Sequence, residues 1–218
     1  GQLWCWVRGD DLGDLLHVTR RLQKALAPVF TLPHVVDAFR HRHDETSGLG
    51  RDLTGFEDGT ENPKGEDALQ AAFVHGQGEG LDGASFVAVQ QWQHDFDAFE
   101  ALPKEDQDHA IGRRLEDNEE IDDAPESAHV KRTAQEDFDP PAFLLRRSMP
   151  WLASTHAGLM FVAFGHSFDA FEAQMRRMAG LDDGIVDGLF RLSTPVTGAY
   201  FWCPPMRGAQ LDLRRLGF

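Results

Sequence analysis

Residues 158–167, GLMFVAFGHS, form a continuous apolar run, and the amphipathic stretch FDAFEAQMRRMAG at 168–180 follows it directly. The run is too short for a membrane span and predicts a strand at the centre of a sheet. The stretch after it predicts a helix that stops at Gly180. A central strand needs a partner along each edge, because its backbone amides and carbonyls must all be paired. The chain supplies three candidates. SFVAVQQWQHD, 85–95, alternates as a strand does; FLLRRSMPW, 143–151, reads as a strand ended by Pro150; TGAYFWCP, 197–204, closes the series. Between the first two lie the helical segments FDAFEAL and KEDQDHAIGRRL (104–115), and then an acidic loop, EDNEEIDDAPES, at 116–127. The order is strand, helix, strand, strand, helix, strand, which predicts an α+β, ferredoxin-like (βαββαβ) fold. Its antiparallel sheet would carry helices on one face, leaving the other free for a ligand or a second sheet.

The N-terminal segment is harder to house. QLWCWVR (2–8) has the length and apolarity of a strand. Asp10-Asp11 then offers an N-cap, Leu12, Leu15, Leu16, Val18, Leu22 and Leu26 recur at helical spacing, and Pro28 ends the helix. VVDAFRHRH, 35–43, reads as a second strand. A strand, a helix and a strand in so few residues bury little on their own. They read as the second half of a small domain whose first half lies elsewhere. Residues 68–74 suggest a short helix, and GQGEGLDG, 76–83, a flexible turn.

The net charge of −15 argues against nucleic acid and against an anionic membrane surface as partners. The two cysteines, Cys5 and Cys203, form no metal-binding spacing, and no disulfide framework is expected, so a reducing compartment, the cytoplasm, is the expected location. No signal peptide or long apolar span is visible.

Four features could carry chemistry. The loop GRDLTGFEDGTENPKG, 50–65, combines glycines with a Phe at position 56 and acids at Asp52, Glu57, Asp58 and Glu61. Its carboxylates could simply cap backbone amides. A calcium loop starting at Asp58 fails, because Pro63 falls where glycine is required and Leu69 where a bidentate Glu is needed. The ten histidines show no zinc spacing, although His129 stands apart because an acidic run ends just before it. Arg146 and Arg147 lie inside an apolar strand, so one points inward and needs an anion or a carboxylate, with Ser148 on the face of Arg146. A salt-bridged arginine at a sheet edge is the alternative. The glycine-rich run at 76–83 leads into no helix and reads as a linker, not a nucleotide loop.

Taken together, Gly55-Phe56-Glu57-Asp58-Gly59, IGRRLEDNEE (111–120), SAHV (127–130), LLRRSMPW (144–151) and STPVTGAYFWCP (193–204) resemble the dye-decolorising peroxidases, in their bacterial cytoplasmic-type branch. The resemblance covers nearly the whole chain. It implies haem b as cofactor and hydrogen peroxide and an organic reductant as substrates; a fold with an exposed sheet face and edges invites association, so a homo-oligomer is expected. The fold implied is of the dimeric α/β-barrel type, with residues 1–48 left from an incomplete first domain and 49–218 forming the haem-binding domain. By resemblance, His129 is the proximal iron ligand, and Asp187 accepts a hydrogen bond from its second nitrogen. Asp58 is the distal acid–base group, with Arg146 and Ser148 beside it. Arg113 is expected near a haem propionate. With Asp at its ordinary value of about 3.9, an acidic pH optimum is expected. Some relatives are packaged in protein shells through a C-terminal tail; the ending RRLGF predicts no targeting by that route. Two other readings are a haem-handling protein that releases iron or holds porphyrin, and a non-enzymatic ferredoxin-like binding module.

Overall fold

The computed structural model describes residues 2–42 and 48–218. It divides into two units, residues 1–37 and 38–218.

The first unit holds one helix, α1 (Leu12–Leu26). The Asp11 carboxylate accepts from the Asp14 backbone amide and caps it, as the Asp-Asp pair predicts. No residue of α1 is buried. The stretch 2–8 is not a strand, contrary to the sequence reading. Apolarity and length alone do not make a strand, which exists only where a neighbouring segment completes a hydrogen-bonded ladder.

The second unit begins with an expected strand that is not one. Of VVDAFRHRH, only a single bridge forms, Ala38 to Trp151, and His43 lies outside the described residues. A short hairpin follows, β1 (Gly50–Arg51) with β2 (Glu57–Asp58), and then helix α2 (Gly65–Ala72). Next come strand β3 (Ser85–His94), helices α3 (Phe96–Ala101) and α4 (Lys104–Ile111), and a one-turn helix α5 (His129–Arg132). Then come β4 (Leu145–Arg146), β5 (Met149–Ala153), β6 (His156–Gly165), helix α6 (Asp169–Met178) and β7 (Ser193–Cys203), followed by a short hairpin of Met206–Arg207 with Gln210–Leu211.

β6 and β3 are central. β4 and β5 line the outer edge of β6, β7 lines the outer edge of β3, and every pairing is antiparallel. This is the strand arrangement of a ferredoxin-like α+β fold, with β4 and β5 together acting as one strand. Their registers on β6 are continuous: Arg146 faces Ala163 and Met149 faces Met160. At the break, the Arg147 amide still donates to the Val162 carbonyl (2.8 Å). The Val162 amide finds the Ser148 hydroxyl (3.3 Å) in place of a backbone carbonyl.

Pro150 does not end this strand, as the sequence predicts, but lies within β5. Its carbonyl accepts from the Phe39 amide on the side away from β6. In an antiparallel strand a residue's N and O point to the same side, so the missing proline N–H removes no bond to β6.

The core lies between the sheet and α6. Ala88, Leu144, Ala163 and Phe171 form one buried cluster, and Phe56, Phe99, Ala110 and Leu192 another. Gly158 shows how tightly the strands approach: a Cβ there would collide with the Trp92 carbonyl oxygen. β7 is the outermost strand, and none of its residues, STPVTGAYFWC, is charged.

Candidate active site

A cavity opens between β3, β6 and α6 on the helix-covered face of the sheet, not on the open face that the sequence reading left for a ligand. Gln90, Trp92 and His94 of β3 point into it at period two, with Leu159 and Phe161 opposite them on β6. Phe171, Gln174, Met175 and Met178 of α6 cover it.

The loop 52–62 supplies one wall. The Asp52 amide donates to the Phe56 carbonyl (2.8 Å) and the Gly55 amide to the Asp52 carbonyl (2.9 Å), closing a tight turn. Gly55 sits at φ +98°, a conformation that glycine adopts without steric cost. Phe56 is 5% exposed and anchors the loop edge-on against Phe99. Asn62 clamps the loop to β4: its Oδ1 accepts from the Arg146 amide (2.8 Å) and its Nδ2 donates to the Arg146 carbonyl (3.1 Å).

Glu57 and Asp58 both line the cavity, but they are not equivalent. The Glu57 carboxylate is held by Arg51 (3.1 Å) and Asn118 (2.9 Å). Asp58 has no side-chain hydrogen bond of this kind among the described residues. Burial pushes its carboxyl above the usual aspartate range, and neighbouring Asp52 adds to this; Arg146, the Gly59 amide and His129 pull it partly back. Asp58 thus has a higher proton affinity than the ordinary value behind the expected acidic optimum.

Arg146 lines the cavity and Arg147 is exposed, the alternation that a strand imposes. The Arg146 Nε is buried without a hydrogen-bond partner. A buried guanidinium nitrogen left unsatisfied points to a missing acceptor. Ser148 is not among the cavity-lining residues; its hydroxyl is engaged with Val162.

His129 opens α5, and its Nδ1 donates to Asp187 Oδ2 at 2.8 Å. Asp187 is 1% exposed, and its other oxygen accepts from the Leu189 amide (2.8 Å). Gly188 lets this segment lie against α4 and the α5 approach: its amide donates to the Ser127 carbonyl (2.7 Å), and a Cβ would crowd the Ala110 carbonyl. α5 is fixed further by Arg132, which makes a two-point contact with Asp183 and donates to the Arg177 carbonyl.

With Nδ1 directed to Asp187, Nε2 is the nitrogen through which a neutral imidazole could bind a metal, as one ligand of fixed tautomer. Among the described residues no three His, Cys, Asp or Glu side chains come together as a metal site. The donor set therefore suits a metal that brings its other ligands with it, as haem does, and the apolar walls suit a flat macrocycle.

Arg113 is not among the cavity-lining residues. Its guanidinium is bound by Glu61, Glu120 (2.9 Å) and the Asn118 carbonyl (3.0 Å). Sequence reasoning counted Asp52 among the acids of its loop but gave it no partner; it joins the site through His94, whose Nε2 lies 2.9 Å from Asp52 Oδ1. The available signal was a histidine at the end of an alternating strand, on the same face as Gln90 and Trp92.

No helix among the described residues is long and apolar enough to cross a membrane. Residues 50–208 match the family model of the Dyp-type peroxidase C-terminal region. The dye-decolorizing peroxidase of Mycolicibacterium paratuberculosis is 31% identical over 210 residues, covering 94% of this chain and 58% of that protein. That of Rhodococcus erythropolis is 38% identical over 160 residues, 71% of this chain and 47% of its own. A DypB variant from Rhodococcus jostii, solved in complex with heme, superposes with a TM-score of 0.78 at 31% identity, covering 87% of this chain and 61% of that one. The encapsulated DyP-type peroxidase of Mycobacterium smegmatis gives 0.82 at 28% identity, covering 91% and 64%. The chain thus spans roughly half to two thirds of the length of these relatives.

Proposed function

The chain belongs to the Dyp-type, dye-decolorising peroxidase family, and from that membership we propose that it works as a haem b peroxidase, reducing hydrogen peroxide with electrons from dyes or other organic donors. The observation that carries this reading is the His129–Asp187 pair, set in the same cavity as Asp58 and Arg146. His129 Nε2 would hold the haem iron. The haem, when bound, supplies the redox chemistry. The chain's own residues manage protons and charge: Asp58 takes a proton from one peroxide oxygen and returns it to the other. Arg146, which keeps its own proton, stabilises the charge that builds on the departing oxygen. Ser148 acts through the strand it braces. For Arg113 we keep a place beside a haem propionate, reached only if its contacts with Glu61 and Glu120 give way. Residues 49–218 form the haem-binding domain in this reading, and 1–48 belong to a preceding ferredoxin-like domain.

The peroxidase descriptions of the relatives favour this reading over a haem-handling protein or a binding module. We further propose a homo-oligomer located in the cytoplasm, a placement that the two free cysteines support.

The test is a visible spectrum of purified protein loaded with haem, followed by peroxide and dye turnover. Wild type should show a Soret band of histidine-ligated haem and bleach dye only with peroxide. His129→Ala should lose that band. A normal haem spectrum in His129→Ala, or a haem-loaded wild type inert to peroxide, would defeat the proposal.

A further inference from the structure

The cavity holds a second carboxylate that the reaction outlined above does not use. Asp52 sits six residues before Asp58 in the same hairpin. Its Oδ1 is 2.9 Å from His94 Nε2, and its Oδ2 accepts from the Thr54 hydroxyl (2.7 Å) and amide (3.2 Å). The Nδ1 of His94 lies 2.8 Å from the Ser193 hydroxyl on β7. Asp52, Thr54, His94 and Ser193 all line the cavity with Asp58. The chain therefore stitches the hairpin to β3 and β7 by a line of partly buried polar groups in the cavity that Asp58 also lines.

We propose that the Asp52–His94 pair is a positioning device for Asp58, fixing its hairpin and deciding which of the two cavity aspartates carries the proton. The proposal rests on the peroxidase reading for its role in turnover, but its electrostatic core does not.

Two buried carboxylates in one cavity compete for a proton, and their surroundings settle the outcome. Asp58 faces Arg146 from β4, Asp52 from its own hairpin and His129 from α5. Asp52 faces His94 from β3 and the Thr54 donors. Glu57, between them in sequence, is occupied by Arg51 and Asn118. Burial acts to raise both aspartates. For Asp52 the His94 contact and the Thr54 bonds outweigh it and lower the carboxyl; for Asp58 burial prevails. Asp52 thus stays ionised, and its charge keeps the proton affinity of Asp58 high, while His94 limits how far that charge reaches.

This makes opposite demands on two variants. Asp52→Asn removes the negative neighbour, so Asp58 should titrate at lower pH than in wild type. His94→Gln keeps a donor for Asp52 but removes the imidazole whose electrostatic pull on Asp52 lowers its carboxyl, so Asp52 acts on Asp58 uncompensated and Asp58 should titrate at higher pH. Loosening of the hairpin alone would move both variants the same way.

The experiment follows the protonated-carboxyl infrared band of Asp58 against pH, identified by its loss in Asp58→Asn, in haem-loaded wild type and both variants. The acid limb of the peroxide reaction is recorded on the same samples. Opposite displacements of the band support the proposal. Displacement in one direction for both variants, or in neither, overturns it. If Asp52→Asn does not fold, His94→Gln and Ser193→Ala carry the test, and the absence of an upward displacement in both is the overturning result. A wild type inert to peroxide whose band still moves in opposite directions would refute the peroxidase reading alone.

Discussion

His129 gives its Nδ1 proton to a carboxylate that is almost wholly removed from solvent, Asp187, 2.8 Å away. A carboxylate so placed must be satisfied on both oxygens, and it is: the Leu189 amide takes the second. The imidazole is thereby held in one tautomer and one orientation.

Replacing Asp187 with Ala should weaken haem binding by roughly 10–100-fold, the usual scale for losing the partner of a ligating histidine. Haem titration followed in the Soret region measures this. Unchanged affinity would show that His129 needs no such partner.

The raised proton affinity of Asp58 has a stability consequence in the haem-free protein. Its folded value lies above the unfolded one of 3.8. Between those two values the native state holds a proton that the unfolded chain has released. Stability therefore falls as pH rises through that window and levels off above it. Asp58→Asn should abolish this loss, melting above wild type at neutral pH and converging with it near pH 3. Thermal melts across pH read the difference directly. A variant that melts below wild type at neutral pH would contradict the assigned direction.

Arg146→Leu removes the cation that pulls the Asp58 carboxyl down. The acid limb of the peroxide reaction should move to higher pH, and the rate above that limb should drop by roughly 10²-fold or more, as when a preorganised charge stabiliser is lost. Stopped-flow rates as a function of pH separate the two effects. An acid limb that stays in place would mean Arg146 does not act on Asp58.

Gly158→Ala should destabilise the sheet, because the added methyl meets the Trp92 carbonyl, which also accepts from the Trp151 indole (2.9 Å). Backbone on both sides cannot step aside, so a cost of about 3 kcal/mol is expected, at the upper end of overpacking effects. At about 2–4 °C per kcal/mol for a chain of this size, that is a fall of roughly 6–12 °C in Tm.

The parts of the fold that were legible in the sequence are those whose pattern is local. β3 at 85–94, β6 at 156–165 and α6 at 169–178 lie within two residues of the expected segments, because alternation, an unbroken apolar run and an amphipathic stripe each encode burial directly. Residues 2–8 and 35–43 have strand composition too, but a strand is a pairing, and pairing is not written in one segment. Pro150 misled for the same reason: whether a proline breaks a ladder depends on which side its nitrogen faces. In the site, Arg146 and His129 could be singled out by setting, one by strand alternation and the other by its neighbours. The Asp52–His94 contact joins residues 42 apart, and nothing near either one announces the other.

The uncharged outer edge of β7 bears on how this polypeptide behaves in a tube. Eleven residues with no lysine or glutamate to deter a newcomer, on the last strand in the order of the sheet, offer a template for another chain's strand, interrupted by Pro195. A net charge of −15 opposes the addition of further copies by long-range repulsion. Salt weakens that repulsion, with a screening length of about 8 Å at physiological strength. Light scattering should therefore show assemblies that grow as salt is added, the reverse of the behaviour expected if surface ion pairs drove assembly.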